Sequence, residues 1–169
     1  FCTEALFKAY ELTKVEKYKY LALSAANFVM KDLNRTSHHS GFLFSYSTLN
    51  GNNTVYNASL LGAKLLSLSY KYSGNEDYKK TAEQAVRAAC EGQNNDGSWL
   101  YGLLPVQSWV DSFHTGYNLD AISTYQNCTG DNQFSSNLKK GFAYYITNFF
   151  ETNGTPKYFN NKTYPIDIH

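Results

Sequence analysis

The chain has 169 residues, enough for one domain with a real core; it is 43% apolar but unusually aromatic at 17%, with 15 Tyr and 11 Phe. Its formal charge of +1 is spread over scattered Lys, Arg, Asp and Glu with no basic stripe, which argues against a nucleic-acid partner. The longest apolar runs are too short to span a bilayer, so no membrane partner is expected, and no charged-then-apolar leader is read at Phe1. Cys2, Cys90 and Cys128 are odd in number and widely spaced, with no CxxC pair. They read as reduced, mostly packed thiols rather than a disulfide frame or a zinc site, and so lean towards a cytoplasmic setting.

In chain order, helical spacing is expected at 3–12 (TEALFKAYEL) and, after a short LTK turn, at 14–29 (KVEKYKYLALSAANFV). A long loop, 40–56, then carries Gly41, Phe42, Phe44 and Tyr46. The same order returns with helices at 57–72 and 75–90 around a YSGN turn, followed by the loop 94–113. It returns a third time with helices at 115–128 and 131–146 around a CTGD turn, followed by the loop 152–167. Tyr18, Tyr78 and Phe134 recur near the start of each second helix, and Gly41, Gly97 and Gly154 recur in the loops at spacings of 56 and 57. Gly74 and Gly130 suit the left-handed position that closes a helix. Two-residue alternation is confined to short pieces of the loops. The unit is helix, tight turn, helix, long aromatic loop, three times over, which predicts an all-α fold.

The second helices are amphipathic, as in the stripe Tyr78, Ala82, Ala85, Val86 and Ala89. The first helices are richer in small and apolar residues, for example Leu60, Leu61, Gly62, Ala63, Leu65 and Leu66, and are expected to form an inner layer. If every hairpin repeats in the same sense, the long loops gather at the N-terminal ends of the inner helices. That aromatic-rich mouth is the expected binding face.

The motifs QNNDGSW (93–99) and DSFHTGYNLDAI (111–122) carry a resemblance to known families. The first is similar to the QxxxGxW-type motif of terpenoid-cyclase and prenyltransferase toroids. The second, opening an inner helix, resembles more closely the six-hairpin glycosidase and sugar-epimerase group, including toroid proteins of exopolysaccharide biosynthesis. The resemblance implies three repeated hairpins forming part of an (α/α)6-type toroid, with a substrate in the cup at the inner-helix N-termini. It implies acid/base residues at Asp111, His114, Asp167 and His169. A closed toroid of that group has about six hairpins, so the single domain 1–169 is expected to be partial. PIDIH at the end looks like the opening of a fourth inner helix; the alternative is a homodimer that hides the open faces.

Each candidate also has a structural reading. Asp111 and His114 share a helix face, but Asp111 serves equally as an N-cap. His114 sits at the positive end of a helix dipole, which favours the neutral, base-like imidazole, or it is simply bonded to a neighbouring loop. Asp167 and His169 repeat the Asp-then-His theme, and two such pairs facing one cup suit glycoside chemistry, in which two carboxyl groups flank the scissile bond. Trp109 and Trp99 offer flat rings to a sugar; for Trp99, inside the repeat motif, a wedge between hairpins is the favoured reading, and Trp109 is the better rim candidate. Tyr117 and Asn118 lie one turn into the inner helix, Tyr56 and Asn57 hold a comparable place in the preceding unit, and Tyr101 joins the loop aromatics. His38 and His39 lack partners for a metal site, and neither metal nor cofactor is expected. No phosphate-binding glycine loop or nucleophile elbow is present.

Together these features point to a glycan or oligosaccharide ligand, with glycoside-hydrolase-like or epimerase-like chemistry as the enzymatic form. The alternative is a non-catalytic glycan-binding or scaffold toroid. An isoprenoid site ranks last, because it needs an acidic cluster or zinc set that the chain lacks.

Overall fold

The computed structural model describes residues 2–49, 51 and 53–167. Six helices follow one another as α1 (Cys2–Thr13), α2 (Glu16–Lys31), α3 (Tyr56–Ser73), α4 (Glu76–Glu91), α5 (Ser112–Thr129) and α6 (Ser135–Asn148). The fold is all-α in three hairpins, with one small addition. Strands β1 (Arg35–His38) and β2 (Gly41–Phe44) pair antiparallel, with His38 opposite Gly41. The first loop thus folds as a β-hairpin where only short strand-like pieces were expected. In β2, Phe42, Leu43 and Phe44 are all buried against α3 and α4, so the strand shows a continuous apolar run instead of alternation.

The tight turns close as the glycines predict. Gly74 (φ 69°) and Gly130 (φ 72°) are left-handed and donate their N–H groups to Tyr70 and Gln126. In the first hairpin the same role falls to Lys14, at φ 59°, whose N–H reaches the Tyr10 carbonyl at 2.8 Å. Helix starts differ from expectation where polar side chains decide them. α5 begins three residues before 115, because the Asp111 side chain caps it. α6 begins at Ser135 and not at 131, because the Asp131 carboxylate takes the Gln133 N–H in a local turn.

The inner-layer assignment holds for α3 and α5, which pack most extensively on each other and bury residues on several sides. It does not hold for α1, which buries only Phe7, packs chiefly on α2 and touches α3 lightly. The α1–α3 contact is partly ionic: Lys64 of α3 reaches Glu4 at 3.0 Å and Asp120 of α5 at 2.7 Å, tying three first helices together. At their far ends, the Phe7 and Tyr72 rings stack at 4.2 Å and the Tyr72 hydroxyl donates to Glu11. The α4 stripe of Tyr78, Ala82, Ala85, Val86 and Ala89 is buried as its spacing requires.

The repeat is visible in three dimensions. Residues Leu119, Asp120, Ser123, Leu138, Lys139 and Phe142 line an open groove of about 460 Å³ on α5 and α6. At a spacing of 56 they match Ala63, Lys64, Ser67, Ala82, Glu83 and Val86, of which all but Glu83 are buried in the preceding unit. The third hairpin therefore presents outward the face that the second hairpin buries. This is the surface pattern of part of a toroid.

Candidate functional site

Val55, Asp111 and Asp167 recur at intervals of 56 residues. Val55 and Asp111 are the N-cap residues of α3 and α5, and each forms a backbone bridge to the following long loop, Val55 to Gly102 and Asp111 to Phe159. The next residues, Tyr56 and Ser112, donate their N–H groups to Tyr101 (3.4 Å) and Tyr158 (2.8 Å). Tyr101 in turn donates its N–H to the Trp109 carbonyl at 2.8 Å. These bridges lace the loops side by side across the N-terminal ends of the inner helices. The same register corrects one equivalence: Tyr56 corresponds to Ser112, the first residue of its helix, and not to Tyr117. Val55 is the cap of that helix, and Asn57 is buried two residues beyond it.

Asp111 organises the centre. Its carboxylate accepts from the His114 N–H (2.8 Å), from His114 Nδ1 (2.8 and 2.9 Å to its two oxygens) and from the Trp109 indole N–H (2.9 Å). The side chain is wholly enclosed, whereas that of His114 is 21% exposed. A carboxylate has no proton to give, so Nδ1 is the donor, and in the neutral ring it is Nε2 that has the lone pair. Asp111 therefore caps α5 and fixes the orientation of the His114 ring, which is the member of the pair that reaches the surface.

Around this pair, Tyr101 stacks on Trp109 with ring centres 4.5 Å apart and 12° between planes, and meets His114 edge-on at 4.6 Å. Phe113 braces His114 from another side, and Tyr117, half-buried, meets Phe113 edge-on at 4.6 Å. Burial raises the Tyr101 phenol above its ordinary range, helped by Tyr46 and the Asp111 charge. Burial also raises Tyr158, with Asp111 and Asp167 adding to it. Both hydroxyls therefore remain proton donors at neutral pH.

The other candidates fall in different places. Asp167 is brought to the site: its carboxylate accepts from the Ser112 hydroxyl, a contact that sequence spacing alone did not single out, although the 56-residue register of Asp111 and Asp167 carries the signal. His169 lies outside the described residues. Asn118 is on the His114 face one turn deeper, but it is 2% exposed with its Oδ1 unpartnered, so it lies beneath the rim and not on it. Trp99 is a wedge and not a sugar platform. It is 1% exposed, gives its indole N–H to the Ala89 carbonyl (2.8 Å), and lies so close to Gly141 that a Cβ there would come within 2.7 Å of the ring.

QNNDGSW is accordingly a structural corner. Gln93 clamps the Gly97 and Asn137 carbonyls at 2.9 and 3.0 Å. Tyr56 is also displaced from the site: it is buried, with its hydroxyl 3.1 Å from His38 Nε2 and packed against Gly92. Among the described residues no group of three or more His, Cys, Asp or Glu side chains is placed to hold a metal ion. Among them, too, no helix is long and apolar enough to cross a membrane.

The architecture and its loop-built rim define a three-hairpin, toroid-type all-α protein. Neither a family model nor a curated protein sequence matches the chain. Among solved structures it is similar to the unsaturated glucuronyl hydrolase of Bacillus sp. GL1, an enzyme responsible for the degradation of glycosaminoglycan, with a TM-score of 0.62 and 16% identity. The match covers 92% of this chain and 45% of that one, so this chain spans about half the length of its structural neighbour. At this identity the likeness is one of fold.

Proposed function

We propose that the chain binds a glycan or oligosaccharide, uronic-acid-containing polymers included, at the rim formed by Tyr101, Trp109 and His114. The observation that carries this reading is the enclosed Asp111 carboxylate, which aligns the imidazole of His114 beside two stacked aromatic rings at the mouth of the inner helices. Flat rings take the C–H faces of pyranoses, and an imidazole with a free Nε2 accepts a hydroxyl proton. The fold likeness to a glycosaminoglycan-degrading hydrolase supports the same ligand class. In a catalytic form, His114 is the general base, Asp111 its positioning residue, and Asp167 the second carboxylate.

A second reading, binding without turnover, is favoured by one observation: no oxygen of Asp111 is open to solvent. A glycan array followed by product analysis on the glycans retained separates the two. Retention with cleavage or epimerisation that is lost in His114→Ala supports the enzyme; retention without products supports the binding module. No retention of any glycan contradicts both.

A further inference from the structure

We infer that the Tyr101–Trp109 stack divides the rim into two sugar subsites, so that the ligand is a linear oligosaccharide bound across the pair and not a single sugar. This rests on the reading that the rim binds glycan. The two rings cover each other on one face. Each ring also lines a cleft that the other does not. Tyr101 lines a cleft of about 380 Å³ with Tyr46, Thr54 and Gln107, and Trp109 lines one of about 410 Å³ with Asn160, Asn161 and Lys162. Both volumes lie in the range of small-molecule sites.

Each cleft joins its aromatic wall to an oriented amide. In the first, Gln107 Oε1 accepts from the Leu104 N–H (3.2 Å) and the Thr54 hydroxyl (3.0 Å). The backbone donor fixes which end of the amide is oxygen, and leaves Nε2 as a donor on the cleft wall. In the second, the Asn160 amide is held by the Tyr144 hydroxyl (2.8 Å), and its other polar end is left for a ligand. An aromatic ring beside an anchored amide suits a pyranose, whose C–H face is apolar and whose hydroxyls both give and accept. His114, edge-on to Tyr101, lies beside the wall between the clefts, where the linkage between two bound sugars would cross.

The test is a length series of hyaluronan di-, tetra- and hexasaccharides titrated calorimetrically into wild type, Tyr46→Ala and Asn161→Ala. Both substituted residues are exposed, one on each cleft, so the fold is retained. Two linked subsites predict a gain of about tenfold or more from the disaccharide to the longer oligosaccharides, and a severalfold loss of that gain in either variant. Equal affinity at every length, or sensitivity in one cleft only, overturns the inference while leaving glycan binding intact. Absence of binding at any length, in a wild-type protein that also retains no glycan on an array, overturns the reading beneath it and the inference with it.

Discussion

Asp111 holds His114 twice, by its backbone N–H and by its ring Nδ1, each at 2.8 Å. One carboxylate therefore starts a helix and sets a tautomer. Replacing it by Ala removes the cap and leaves the Trp109 indole N–H without its acceptor, a loss of about 3 kcal/mol in unfolding free energy. Asp111→Asn keeps an oxygen for the cap but sets its NH2 against the Trp109 indole N–H, so it loses about 2 kcal/mol. With an amide against Nδ1, however, the imidazole proton moves to Nε2. Urea denaturation measures the first effect and nitrogen NMR of the His114 ring the second; an unchanged tautomer in Asp111→Asn contradicts the assignment.

The two tryptophans separate stability from binding. Trp99→Ala empties a buried site and destabilises by about 4 kcal/mol, and Trp99→Phe, which still fills most of the site, leaves glycan affinity unchanged. Trp109 is 37% exposed, so Trp109→Ala is the milder change for the fold and the larger one for the ligand. Denaturation midpoints paired with affinities for one glycan check both. The reverse pattern would mean that the roles have been exchanged.

Lys14 pays a backbone cost that the other two hairpins avoid, since it holds the left-handed position that Gly74 and Gly130 hold there. Lys14→Gly is expected to stabilise by about 1 kcal/mol. A rise in urea midpoint at constant slope confirms it; a fall would show that the lysine side chain contributes more than its backbone conformation costs.

Glu11 is one of the carboxylates that contribute to the acid limb of stability. Hydrogen bonds from Tyr72 first, then Lys8 and Lys71, lower its carboxyl from the ordinary 4.5 to about 2. A depressed folded value means that the stabilisation is fully present above the unfolded value of 4.5 and is lost as pH falls from there towards 2. Melting temperatures between these limits should fall less steeply in Glu11→Gln than in wild type, and parallel curves would contradict the linkage.

Much of the fold was legible in the residues because turns and stripes are local. Gly74 and Gly130 announced the helix ends, and the Tyr78-to-Ala89 stripe announced a helix with one buried side. The β-hairpin was not legible, since Phe42, Leu43 and Phe44 are buried on both sides and show no alternation. Asp111, His114, Trp109 and Tyr101 were singled out and do meet. Trp99 and Tyr56 were placed with them only because aromatic type says nothing about direction. Trp99 turns inward to Ala89, and Tyr56 turns away to His38. The Ser112–Asp167 contact joins residues from adjacent repeats, and only the register between repeats could have suggested it.

The most direct test of a glycan-binding rim uses the unaltered protein. The indole N–H signals of Trp99 and Trp109 are followed by NMR while glycosaminoglycan oligosaccharides are added, with Trp109→Phe supplying the assignment. The account predicts that the Trp109 signal, reporting both the Asp111 bond and the partly exposed ring, shifts saturably while the Trp99 signal stays fixed. A Trp109 signal that does not move while the glycan is bound would contradict it.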